Sequence, residues 1–72
     1  MIRTHSQIID LWPSLSDLAG DVDQDREAVR LWRKRNRIPN RHWTAIAYAS
    51  RKRRLGVTVE ELAMGMLKVN GS

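Results

Sequence analysis

Cysteine is absent from this 72-residue chain, which excludes a disulfide, a thiolate zinc site and a cysteine nucleophile. Also missing is any apolar run approaching the roughly 20 residues that cross a bilayer. The N-terminus has none of the basic, apolar and small-residue layout of a signal peptide. The expected location is therefore cytoplasmic, with no membrane partner. No segment sustains the alternation of apolar and polar residues that marks strands, and there is no internal repeat or low-complexity stretch. The expected fold is all-α. No glycine-rich phosphate loop is present, no serine has an evident histidine partner, and His5 and His42 lie far apart in the chain. Neither catalysis nor metal binding is expected, and with them go a cofactor and a small-molecule substrate. For both histidines a surface or hydrogen-bonding role is the default.

Seventy-two residues make a single domain, 1–72, too short to enclose a roomy catalytic cleft. The 42% apolar and 29% charged content is ordinary for a folded protein. A domain of this size without disulfide or metal staples needs efficient helix packing or a partner chain. A homodimer therefore belongs among the expected assemblies.

The net charge of +5 conceals a segregation along the chain. Residues 1–25 carry Arg3 against five aspartates, for a charge of −4. Residues 26–54 carry eleven basic side chains against Glu27 alone, for +10, and residues 55–72 return to −1. The basic block is interleaved with Trp32, Ile38, Trp43 and Ile46, core-forming residues at helical spacing, so it folds with its charges outward. A neutral partner gives no reason to concentrate cations in this way; a polyanion does.

Helix signals divide the rest. Thr4 with Gln7 has capping-box spacing and precedes Ile8, Ile9, Leu11 and Trp12, which predicts helix 1 over 5–12, ended by Pro13. Ser14 with Asp17 repeats the signal before Leu15, Leu18, Ala19 and Val22, for helix 2 over 15–22. Asp25 can accept from the free amides of helix 3, over 26–35, whose inner side carries Ala28, Val29, Trp32 and Leu31. Asn36 tolerates the left-handed conformation that ends a helix, and Ile38-Pro39 requires an extended or turn geometry. Helix 4 is expected over 40–54 with Trp43, Ile46, Ala47 and Ser50 inward and Gly56 closing it. Thr58 with Glu61 opens helix 5 over 59–68, built on Val59, Leu62, Ala63, Met66 and Leu67, and residues 69–72 are expected to fray.

Two short helices joined by a tight turn, the second with exposed basic and polar side chains at its start, form the arrangement that puts a helix into a DNA major groove. Residues 14–35 fit it. Arg26 and Arg30 offer forked donors to guanine, and Glu27 can accept from a cytosine amino group. Arg33, Lys34, Arg37 and Arg41, with Arg35, surround the end of helix 3 and the Ile-Pro turn, where contacts to phosphate fix docking register without reading sequence. Arg51-Lys52-Arg53-Arg54 spreads around helix 4, so not all four can reach one DNA molecule.

The string Leu18-Ala19-x-x-Val22-x-x-Asp25-Arg26-Glu27-Ala28-Val29-x-x-Trp32, then Arg37-Ile38-Pro39 and Trp43-x-x-Ile46, resembles the helix-turn-helix of lambda-repressor-like phage regulators. Among these it is most similar to the Cro-like and YdaS-like proteins, including those called carph-isopro proteins. The resemblance covers about residues 14–64. It implies a compact five-helix DNA-binding domain acting as a transcriptional regulator, commonly a dimer on an inverted repeat. It also implies base contacts from Arg26, Glu27 and Arg30. Asp23 stands where that family usually has glycine, and Gln24 where it has an apolar residue, which predicts a longer or looser turn. The aspartates at 21, 23 and 25 would repel phosphate there unless they cap helices or pair with arginines.

Trp32 and Trp43 lie on inner helical faces and are expected in the core rather than as stacking platforms, with Trp12 less constrained. Met64 and Met66 with Leu67 read as core fillers or as a dimer surface. Three other functional readings stay open beside a DNA-binding regulator. They are an excisionase-like architectural DNA-binding protein, a protein-binding module whose basic face meets an acidic partner, and an RNA binder.

Overall fold

Side chains that satisfy the free amides of a first turn mark where three of the helices begin, at Thr4, Ser14 and Thr58. The computed structural model describes the backbone of residues 2–70 and the side chains of residues 2–65. Among these residues it contains five α-helices, one 3₁₀ turn and no strand. They are α1 His5–Ile9, α2 Leu15–Asp21, α3 Arg26–Arg35, the 3₁₀ turn Asn40–His42, α4 Trp43–Arg53 and α5 Val59–Asn70. The small all-α architecture expected from the sequence is present.

The capping box at α1 is complete, with Thr4 Oγ1 accepting from Gln7 N–H and Gln7 Oε1 accepting from Thr4 N–H at 2.8 Å. The helix is shorter than expected: it stops at Ile9, and Leu11 and Trp12 continue only as tight turns onto the Ile8 and Ile9 carbonyls. Pro13 explains this, because its ring disfavours the α conformation at Trp12. At α2 the box is half made. Ser14 Oγ accepts from Asp17 N–H at 3.1 Å, but the Asp17 carboxylate takes the Ser14 hydroxyl rather than its amide. Helix 5 departs likewise: Thr58 Oγ1 accepts from Glu61 N–H, while the Glu61 carboxylate is drawn away to Arg3. Asp25 occupies the N-cap position of α3 in extended conformation but makes no side-chain cap, contrary to expectation.

α2, α3 and α4 end in one shared geometry. Asp23, Asn36 and Arg54 have φ of 56°, 55° and 59°, and in each case two backbone bonds close the turn. Gln24 N–H reaches Ala19 O at 2.9 Å, Arg37 N–H reaches Trp32 O at 3.0 Å, and Leu55 N–H reaches Ser50 O at 2.9 Å. This is the Schellman arrangement, in which orphan carbonyls are satisfied by a left-handed residue. The turn before α3 is therefore tight rather than long or loose, because Asp23 takes the conformation a glycine would supply. Arg54, not Gly56, closes α4; Gly56 takes φ 75° two residues later. The first turn expected for helix 4 is a separate 3₁₀ turn, with His42 N–H on Pro39 O at 2.9 Å. α5 runs through Asn70, so the fraying expected at 69–70 is absent, and residues 71–72 lie outside the described residues.

The core is Ile8, Ile9, Trp12, Leu18, Ala19, Val22, Val29, Trp32, Ile38, Ile46, Ala49, Val57 and Leu62. Leu15, Ala28 and Trp43 pack at its edge. Ala49 replaces the expected Ala47 on the inner face of α4, since the buried arc is turned toward Ala49 and Ser50. Ser50 holds Val57 inward: its hydroxyl accepts from Val57 N–H at 3.1 Å and donates toward the Val57 carbonyl at 3.0 Å. Val59, expected inside, is 41% exposed because it occupies the solvent side of the first turn of α5. Met66 and Leu67 lie outside the residues whose side chains are described, and Met64 is exposed.

His5 is fully buried, so of its expected roles only hydrogen bonding applies. Its Nδ1 accepts from Ile38 N–H at 2.7 Å and its Nε2 lies 2.6 Å from the Leu62 carbonyl. A backbone N–H can only donate and a carbonyl can only accept, so the ring is neutral with its proton on Nε2. Its edge meets the Trp43 ring at a centroid distance of 6.0 Å. α5 comes close enough that a Cβ on Gly65 would stand 2.6 Å from Arg3 O and 3.3 Å from His5 Cδ2. Beside this contact Arg3 grips Glu61 bidentately, Nε to Oε2 at 2.7 Å and Nη2 to Oε1 at 2.8 Å.

Two expectations follow from this packing. Gly65→Ala should destabilise the fold by about 1–3 kcal/mol through overpacking against a backbone carbonyl. His5→Ala should cost about 3 kcal/mol, since it opens a cavity and strands the Ile38 amide and Leu62 carbonyl. Denaturant titrations of both variants measure this, and midpoints equal to that of the wild type would refute it. Hydrogen bonding from Arg3 holds the Glu61 carboxyl below its usual range. A depressed carboxylate stabilises the fold above its unfolded pKa and loses that contribution as pH falls through the folded one. Glu61 stabilisation should thus be level from neutral pH to about 5 and decline below about 4.3. The difference in unfolding midpoint between wild type and Glu61→Gln should shrink over that acid range.

Candidate nucleic-acid interface

Leu18 and Ala19 of α2 and Val22 just past its end are buried with Val29 and Trp32 of α3, and this apolar contact together with the closed turn fixes the angle between the two helices. The opposite side of α3 is left to solvent. Arg26, Arg30 and Lys34 recur every four residues, and all three are exposed, with Glu27 beside them. They form one row on the side of the helix away from Val29 and Trp32.

The flanks of α3 are different. Arg33 turns toward α1, where its Nε meets Asp10 Oδ1 at 2.7 Å and its Nη2 meets Oδ2 at 3.2 Å. Nearby, Asn36 Oδ1 accepts from both the amide and the hydroxyl of Ser6, at 2.8 and 2.7 Å. α1 thus braces the C-terminal half of α3. Arg35 projects from the other flank, exposed.

Within the outward row Arg30 Nε lies 2.8 and 3.1 Å from the two carboxylate oxygens of Glu27, and Arg30 Nη2 bonds the same carboxylate. Hydrogen bonding from Arg30 holds Glu27 below its usual range, so it is ionised at neutral pH. The Nε and Nη2 edge of the Arg30 guanidinium is engaged, and no bond to Nη1 is present among the described residues, so donors remain to spare. Arg26 and Lys34 make no ion pair among the described residues.

Past the end of α3, Arg37 and Arg41 line a shallow cleft of about 360 Å³ with Pro39 and Asn40. Arg41 Nε reaches His42 Nε2 at 3.3 Å, and the His42 ring packs on Trp32 at a centroid distance of 4.8 Å. Burial, with the Arg41 charge beside it, pushes His42 below its usual pKa, so its ring is neutral and able to accept at neutral pH. The turn stays anchored because Trp43 Nε1 donates to Ile38 O at 2.8 Å.

Of the acidic cluster, Asp21 is neutralised. Arg53 grips its carboxylate, with Nη2 3.2 Å from Oδ1, and Trp12 Nε1 donates to Oδ2 at 2.9 Å. These donors, Arg53 foremost, hold Asp21 below the usual carboxylate range. Asp23 serves as the left-handed residue, and Asp25 stands exposed ahead of α3. Trp12 and Trp32 are buried and Trp43 half-buried, so none offers an open ring for base stacking.

The residues singled out in the sequence therefore separate into groups. Arg26, Glu27, Arg30 and Lys34 share one face, Arg37 and Arg41 share the cleft beyond it, and Arg33 is committed to Asp10. The long-range pairs Asp10–Arg33 and Asp21–Arg53 carry no local signal in the sequence, being 23 and 32 residues apart. The Glu27–Arg30 spacing, one helical turn, was readable. Among the described residues no three or more His, Asp or Glu side chains could together hold a metal ion, and no helix is long and apolar enough to cross a membrane. No family model matches this chain, and neither a curated protein nor a solved structure matches it.

Proposed function

We propose that this protein is a sequence-specific duplex-DNA-binding transcriptional regulator of the phage or prophage, Cro-like type. It acts in the cytoplasm by occupying an operator rather than by catalysis. The observation that carries the reading is the exposed row Arg26, Arg30 and Lys34 on α3, opposite the packed face and unobstructed by the ion pairs at its flanks. In this reading α3 enters the major groove. Arg30 donates end-on to a guanine, Arg26 and Glu27 face neighbouring bases, and Lys34, Arg37 and Arg41 meet phosphates. Arg33 is a brace in the free protein, available to phosphate only if it exchanges Asp10. Counterion release makes affinity fall steeply with salt. A homodimer on an inverted repeat would place two α3 helices one turn of DNA, about 34 Å, apart.

Selection of bound duplexes from a random pool, followed by titration of variants on the best site and on random DNA, tests the reading. Arg30→Ala should cost about 1–3 kcal/mol on the best site and relax preference at one base pair, whereas Arg37→Ala should weaken all sequences alike. Equal losses on both DNAs for Arg30→Ala would remove Arg30 as a base reader. Failure of the wild type to bind duplex DNA at low salt would remove the reading itself.

A further inference from the structure

Arg54 is placed where arginine is a poor choice on conformational grounds. It is the left-handed residue that closes α4, at φ 59° and ψ 41°. Asp23 and Asn36 do the same at α2 and α3, but aspartate and asparagine visit this region more readily than arginine, and glycine does so without strain. The Arg54 side chain is exposed and makes no ion pair among the described residues. Nothing within the described fold requires a long cation at this position.

Its neighbour shows where this position lies. Arg53 is paired with Asp21, the last residue of α2, so one ion pair ties the end of α4 to the end of the helix that precedes the turn into α3. Arg51, exposed and without an ion pair among the described residues, projects from the last turn of α4. The cleft of Arg37 and Arg41 lies past the other end of α3. Ten residues of α-helix separate the two ends by about 15 Å, comparable with the roughly 12 Å width of the major groove. Cations at both ends of α3 therefore suit the phosphates on both walls of one groove.

We propose that Arg54, with Arg51, forms a second contact to backbone phosphate of duplex DNA at the leading end of α3, facing the Arg37 and Arg41 contact across the groove. This rests on the placement of α3 in the major groove proposed above. Arg54 contributes charge and register, not base reading, and its conformational strain is retained because the position is the one that reaches phosphate.

The test pairs stability with binding in the full chain. Arg54→Gly relieves the strained backbone and should raise the thermal unfolding midpoint by roughly 4 °C. The same variant should bind the best site and a random duplex about 5-fold more weakly, with a log affinity against log salt slope shallower by about 1. Arg54→Gln, which keeps a side chain but not the charge, should show the same loss of slope. A more stable variant that binds less well cannot owe its loss to misfolding. If both Arg54 variants keep wild-type affinity and slope while Arg37→Ala weakens binding, the second contact is overturned and the placement of α3 stands. If the wild type itself fails to bind duplex DNA at low salt, both fall together.

Discussion

One neutral imidazole joins three segments that are far apart in the chain. His5 accepts from the amide of Ile38 and donates to the carbonyl of Leu62, so α1, the turn after α3 and α5 share a single buried side chain. Both bonds need the same tautomer, and neither backbone group has a substitute partner in an apolar setting, where an unpaired polar group costs about 1–3 kcal/mol. Gly65 permits the approach, since any side chain there would meet the Arg3 carbonyl. The position of Ile38-Pro39, and hence the path by which the chain leaves α3, is set at this point. Ser6 to Asn36 and Asp10 to Arg33 extend the same brace along α3.

The charge distribution follows from that frame. A block with eleven cations would repel itself if they were crowded together. Three of them, Arg30, Arg33 and Arg53, are met by carboxylates. Two of these pairs, to Asp10 and Asp21, come from the acidic N-terminal third, so that segment stitches α1 and α2 onto the basic block rather than standing apart from it. Exposed pairs of this kind add little stability one by one and are screened by salt. Their larger effect is sorting: Arg33 and Arg53 are committed to Asp10 and Asp21, Arg30 shares the outward row with Glu27, and Arg26 and Lys34 of that row carry no ion pair among the described residues.

Backbone geometry and function meet at the helix ends. Three helices close with the same pair of hydrogen bonds, and in none of the three is the left-handed residue a glycine. Asp23 keeps the α2–α3 turn tight, Asn36 uses its side chain to hold Ser6, and Arg54 adds a cation to the end of α4. A glycine at these places would satisfy the backbone equally well but would supply neither the Asn36 amide that holds Ser6 nor the Arg54 cation.

The sequence by itself determined the helical class, the five segments and the outward basic face. Capping residues, proline and apolar spacing are local, and helix start and stop respond to local chemistry. It also determined that Arg26, Glu27 and Arg30 would share a face of α3, because the helical repeat dictates it. It did not determine that Glu61 would meet Arg3, Asp10 Arg33, Asp21 Arg53 and His5 the Leu62 carbonyl, since these partners lie 23 to 58 residues away. Only the tertiary structure decided that His5 is buried, that Arg33 is held by Asp10 at the end of α1 and that Arg53 ties the end of α4 to α2. These outcomes depend on which helices touch, and no spacing within one segment encodes that.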